Sequence, residues 1–104
     1  MSEGRVLLVD DEPNITAGLA RTLGLEPWEI FTANSAREGL EILAANEIDV
    51  IVSDEQMPEM SGSMFLTEVR KLYPQTIRMI LTGQAGLDTA IRAINGGEVY
   101  RYFT

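Results

Sequence analysis

The chain has 104 residues, room for one domain with a modest core and too little for two. It contains no Cys and no His, which excludes disulfides, thiolate metal sites and imidazole acid–base chemistry. Its net charge of −8 repels nucleic acid and anionic membrane surfaces, so neither is an expected direct partner.

The first apolar run, Val6–Val9, is short and β-rich and leads into Asp10-Asp11-Glu12-Pro13. It is too short for a signal-peptide core, and no later run reaches membrane-spanning length, so the expected location is the cytoplasm. Pro13 suits the first turn of a helix whose apolar stripe is Ile15, Leu19 and Leu23, with Gly24 at its end. A weaker, mixed run around Trp28–Phe31 predicts a second strand. Ser35 and Glu38 then have capping-box spacing ahead of the stripe Ala36, Leu40 and Leu43. Ile48–Val52 predicts a third strand. Phe65, Val69 and Leu72 mark a third helix, stopped by Tyr73-Pro74 before a fourth strand at Ile77–Leu81. Leu87, Ala90, Ile91 and Ile94 mark a fourth helix ending at Gly96-Gly97, and Val99–Phe103 a fifth strand.

Regular strand–helix alternation with near-continuous apolar strands predicts an α/β fold with helices on both faces of a parallel sheet. The mixed second run fits an edge position, so the expected architecture is a flavodoxin-like, doubly wound, five-stranded sheet of order 2-1-3-4-5. Residues 1–104 are read as one continuous domain. No fifth helix follows the fifth strand before Thr104, so the expectation is a fragment of a longer protein. The sheet face left open would permit a homodimer.

In an open parallel sheet, ligands bind outside the carboxyl ends of the strands. Those ends carry Asp10-Asp11-Glu12, then Ser53-Asp54-Glu55, then Leu81-Thr82-Gly83. Carboxylates crowded together raise one another's pKa, and a hard divalent cation relieves the repulsion. Oxygen donors without His or Cys suit Mg²⁺, which keeps sites for phosphate oxygens and so favours phosphoryl chemistry. An Asp carboxylate can serve there as nucleophile, with a hydroxyl such as that of Thr82 countering charge. Taken singly, each of these residues also reads as a cap, a solvated loop acid or a turn; their joint placement on one sheet edge favours the site.

The segments "VLLVDDEP", "DVIVSDEQMPEMSG" and "IRMILTG" together resemble the receiver domain of bacterial two-component response regulators, across essentially the whole chain. The resemblance implies that Asp54 is the phosphoacceptor. Asp11 would ligate Mg²⁺ directly, Asp10 largely through water, and Gln56 through its backbone carbonyl, beside Asp54 itself. Thr82 would bond a phosphoryl oxygen, and Tyr102 would be the aromatic whose rotamer couples to it. Met57-Pro58 and Gly62 would shape the loop into the third helix. The family also has a Lys that would follow Thr104 immediately; Lys71 lies on the third helix, and Arg101 is not assigned that role. A chain without that Lys is expected to bind Mg²⁺ but to phosphorylate slowly.

The implied partners are a sensor histidine kinase or phosphotransfer protein, with Asn14, Ala17 and Arg21 on the face toward it, and an output domain. The stretch "AIRAINGGEVYRYFT" resembles receivers fused to HD-type cyclic-dinucleotide phosphodiesterases. The reading is a signalling switch that catalyses only its own phosphorylation and dephosphorylation. One alternative is a phosphorylation-independent interaction module. A free-standing aspartyl-nucleophile phosphatase is less compatible, because such enzymes carry Asp-x-Asp after the first strand and "VDDEP" does not.

Overall fold

The computed structural model describes residues 4–23 and 28–81. Its elements run β1 (Gly4–Val9), α1 (Pro13–Leu23), β2 (Trp28–Ala33), α2 (Ala36–Ala45), β3 (Val50–Asp54), α3 (Gly62–Leu72) and β4 (Ile77–Leu81). The expected fifth strand at Val99–Phe103, the helix carrying Leu87 to Ile94, and the glycines at 24, 96 and 97 lie outside the described residues.

The four described strands pair in parallel in the order β2-β1-β3-β4, which is the doubly wound order expected, with the mixed strand at the edge. Val9 lies beside Ala33 on one flank and Ser53 on the other, and Asp54 lies beside Leu81. The strand order reverses at β1, so the loops leaving β1 and β3 part over the crevice between those two strands.

Side-chain alternation divides the core into two layers. Leu7, Val9, Ile51 and Ile80 face α2 and α3, where they meet Leu43, Phe65, Leu66 and Val69. Val6, Leu8, Val50, Val52 and Met79 are buried on the opposite parity. Right-handed crossovers place α1 on that second face, over β1 and β2.

Strand boundaries differ from the apolar runs for local reasons. β1 starts at Gly4 because Arg5 joins the edge ladder and ion-pairs with Glu29 at 3.1 Å, while Gly4 lies so close to Trp28 that a Cβ there would sit 2.6 Å from its ring. β3 starts at Val50 rather than Ile48, because the Ile48 carbonyl accepts the Thr76 hydroxyl at 2.9 Å. Asp49 is engaged by Arg5, whose N–H donates to its carboxylate at 2.8 Å. In β4 the buried Arg78 breaks the apolar run, and its Nη1 donates to the Thr76 carbonyl at 2.8 Å.

The starts of α2 and α3 are capped by serine. Ser35 accepts the Glu38 N–H at 3.0 Å, as its spacing predicts; the Glu38 carboxylate reaches back to the Asn34 N–H at 2.7 Å, one residue upstream of the usual box. Ser61 accepts the Met64 N–H at 3.2 Å and starts α3 without an acidic partner.

Phe65 is fully buried between α2 and the sheet, with its ring against Gly39. Phe65→Ala should therefore cost about 3–5 kcal/mol in urea-melt stability, a large part of what a domain this size possesses. An unchanged unfolding midpoint would place Phe65 outside the core.

Candidate functional site

The site begins where two central strands end. β1 delivers Asp10 and Asp11, and β3 delivers Asp54 as its last residue. Because β1 and β3 are neighbours in register, their carboxylates converge: one oxygen from each of Asp10, Asp11 and Asp54 lies within 4.8 Å of the others. Asp10 is buried, Asp54 half-buried and Asp11 exposed, so the cluster opens to solvent on the Asp11 side.

Hydrogen bonds fix the acidic loop. The Asp10 N–H donates to the Ala33 carbonyl at 3.1 Å, and the Asn34 side-chain amide donates to the Asp10 carbonyl at 3.0 Å. The Asp10 carboxylate in turn accepts the Glu12 N–H at 2.9 Å, turning the chain toward α1. On the other strand, the loop after Asp54 closes when Gly62 N–H donates to the Glu55 carbonyl at 2.9 Å. A Cβ at position 62 would collide with the backbone carbonyl oxygen of Asp54, so glycine is required by close approach there.

Burial shows in the acidities, and crowding adds to it. Burial raises the Asp10 carboxyl from 3.8 to about 6, the Glu12 N–H acts in the opposite direction, and the charges of Asp54 and Asp11 push it further up. Burial also raises Asp54; the N–H groups of Gln56 and Glu55 oppose it, and the charges of Asp11 and Glu12 add to it. Three carboxylate oxygens this close, two of them on acids whose proton affinity burial raises, fit a hard divalent cation of the Mg²⁺ kind, whose charge relieves their repulsion and favours their ionised forms.

Three of the expected site residues are thus brought together. Gln56 lies exposed in the loop directly after them. Thr82 and Tyr102 lie outside the described residues. Sequence reasoning missed Asn34, which reads there only as a residue before a helix cap. It also missed Glu55, whose carboxylate holds Ser63, because Asp-Glu is an ordinary loop pair.

Residues 6–101 match the response regulator receiver domain family. The chain belongs to that family. The receiver is similar to the hydrogenase transcriptional regulatory protein HoxA of Cupriavidus necator, 34% identical over 100 residues that make up 96% of this chain and 20% of that protein. Among solved structures it is similar to a response regulator receiver domain protein from Clostridium thermocellum, at 38% identity and TM-score 0.73, covering 90% of this chain and 76% of that one. It is also similar to the signal receiver domain of an HD domain-containing protein from Pseudomonas fluorescens Pf-5, at 36% identity and TM-score 0.77, covering 96% and 80%. The chain spans about a fifth of the length of the curated relatives it matches first. The receiver family is a phosphorylation-switch domain of two-component response regulators, and this receiver's place is in phosphorelay signalling.

The raised pKa of Asp10 carries a stability signature. A folded-state value above the unfolded one means that Asp10 stabilises the fold fully below pH 3.8 and loses that contribution as pH rises through about 6. In cation-free buffer, wild-type stability should fall relative to Asp10→Asn across that interval, by at most about 1.4 kcal/mol per pH unit. Parallel pH profiles of the two proteins in urea melts would show that Asp10 gains no proton on folding.

Proposed function

We propose that this receiver takes a phosphoryl group onto Asp54 in a Mg²⁺-dependent reaction and uses the modified state to control an output domain or partner. The observation that carries the proposal is the convergence of Asp10, Asp11 and Asp54 within 4.8 Å at the edge of a receiver-family sheet. Asp10 and Asp11 would hold the cation, with Asp54 and the backbone carbonyl of Gln56 completing the protein donors. When bound, Mg²⁺ supplies positive charge against the phosphoryl oxygens and the acidic cluster.

The chain's own residues do the rest. A carboxylate oxygen of Asp54 forms a bond to phosphorus while the bond from phosphorus to the donor breaks, and the donor leaves with that electron pair and a proton. The product is an acyl phosphate on Asp54, and water later attacks its phosphorus to release inorganic phosphate and restore the carboxylate. The half-buried setting of Asp54 limits water around the reacting oxygen, and the neighbouring N–H groups of Glu55 and Gln56 hold the carboxylate in place. Thr82 would bond a phosphoryl oxygen and Tyr102 would report its movement, by the family motif. The domain would be residues 1–104, acting on no substrate other than its own acceptor.

The donor class is the phosphoryl-histidine of a sensor kinase or phosphotransfer protein. The similarity to a receiver from an HD domain-containing protein supports an output of that type. Cytoplasmic placement follows the role; no helix among the described residues is long and apolar enough to cross a membrane. The charge of −8 argues against direct nucleic-acid contact by this domain.

Intact-mass spectrometry of the full-length protein after incubation with acetyl phosphate tests the proposal. A single phosphate adduct should form with Mg²⁺, disappear on chelation and be absent from Asp54→Asn. If no adduct forms while Asp54 is intact and Mg²⁺ is present, a phosphorylation-independent interaction module becomes the better reading.

A further inference from the structure

Residues 55–61 connect the acceptor strand to α3, and Glu55 closes that connection on itself. Its carbonyl oxygen accepts the Gly62 N–H at 2.9 Å. One oxygen of its carboxylate accepts from Ser63 twice, from the backbone N–H at 2.8 Å and from the hydroxyl at 2.7 Å. Three hydrogen bonds from one residue therefore tie the position after Asp54 to the first turn of α3. A carboxylate suits that place, because the first N–H groups of a helix lack internal partners and its N-terminal end favours negative charge. Charge-assisted bonds of this kind are also the stronger ones.

The closure bears directly on Asp54. The start of α3 is pressed onto the acceptor's own backbone, where even a methyl group at Gly62 would meet the Asp54 carbonyl oxygen and lie 2.9 Å from the Glu55 Cα. Within the closed loop Glu59 sits at φ 72°, a conformation that costs a residue with a Cβ about 1 kcal/mol or more. The loop is thus held in a shape its residues do not prefer, and the bonds of Glu55 to Gly62 and Ser63 are the ones that span its ends. The backbone at 54–56, between the strand end and this closure, carries both the acceptor carboxylate and the Gln56 carbonyl.

We infer that Glu55 is a positioning residue for phosphoryl transfer to Asp54, acting through its carboxylate clamp on Ser63 rather than through its charge at the acidic cluster. The inference rests on the function proposed above and adds to it a residue that holds the acceptor loop in register. The distinction between clamp and charge is experimental. Glutamine at position 55 keeps an oxygen that can accept from Ser63 and loses the charge, whereas alanine loses both.

The test uses the full chain, with acetyl phosphate uptake at saturating Mg²⁺ followed by intact mass, and Mn²⁺ binding followed by electron paramagnetic resonance. Glu55→Ala should take up phosphate about tenfold more slowly and bind Mn²⁺ about tenfold more weakly, the usual scale for groups that orient metal or acceptor ligands. Glu55→Gln should stay within about threefold of wild type in both measurements. Ser63→Ala should fall between the two, and adding it to Glu55→Ala should cost nothing further, because the bond it removes is already gone. Equal losses in Glu55→Gln and Glu55→Ala with Ser63→Ala at the wild-type rate would assign the effect to charge at the cluster and overturn the clamp. Wild-type uptake with every variant unchanged would overturn the clamp alone. Absence of uptake and of Mn²⁺ binding in wild type would overturn the phosphoacceptor reading and the clamp with it. Should Glu55→Ala fail to fold, the comparison of Glu55→Gln with Ser63→Ala decides in the same way.

Discussion

Three carboxylates held within 4.8 Å of one another are an electrostatic cost that the rest of the structure has to sustain. Like charges at that range repel strongly once water is partly excluded, and here Asp10 is buried and Asp54 half-buried. The sheet supplies the rigidity. Asp10 follows β1 and Asp54 ends β3, adjacent central strands whose residues Leu7, Val9, Ile51 and Val52 are almost fully buried, so neither strand end can retreat without opening the core. Burial, with the repulsion added to it, is thereby expressed as raised proton affinity at Asp10 and Asp54 rather than relieved by movement. A site in that condition is prepared for positive charge, which is what a hard cation brings and what phosphoryl chemistry requires.

Around this cluster the loops are fixed by backbone groups more than by side-chain packing. Asp10 is tied to the end of β2 through Ala33 and Asn34, and the loop after Asp54 is tied to α3 through Glu55, Gly62 and Ser63. The two tethers come from opposite sides of β1 and β3. Each connects an acid to the start of a helix on the α2–α3 face, so the capping of those helices and the aim of the acids are one arrangement. Ser35 and Ser61 serve as N-caps and also set where the tethering residues next to them can reach.

Much of this was legible in the sequence, and the exceptions have physical causes. The strand order followed from strand–helix alternation and one mixed edge strand. Ser35–Glu38 and Pro13 marked helix starts because capping is local chemistry that spacing records. Ser61 was not recognised, since Met64 stands where a capping box would carry an acid. The start of β3 was misplaced by two residues because Ile48 is as apolar as its neighbours; its carbonyl is taken by Thr76, 28 positions away, which no local pattern reports. Arg78 could not be read as buried, because nothing in Ile77–Leu81 shows that a guanidinium will find a carbonyl there.

The amino-acid sequence by itself determined the α/β class, the parallel order and the identity of the acids at the strand ends, because hydrophobic periodicity and turn chemistry act over a few residues. It also carried the motifs that place the chain among receivers. The tertiary structure brought Asp10, Asp11 and Asp54, the acids the motif had already marked, within 4.8 Å of one another, and it alone decided that Glu12 and Glu55 turn to other work. Glu12 lends its N–H to Asp10, and Glu55 lends its carboxylate to Ser63. The motif separates the three aspartates from the two glutamates, and the register of β1 against β3 and the closure of the loop into α3 give each its geometry. The register relates segments more than 40 residues apart through packing and backbone hydrogen bonds, whereas the loop closure spans the 8 positions from Glu55 to Ser63.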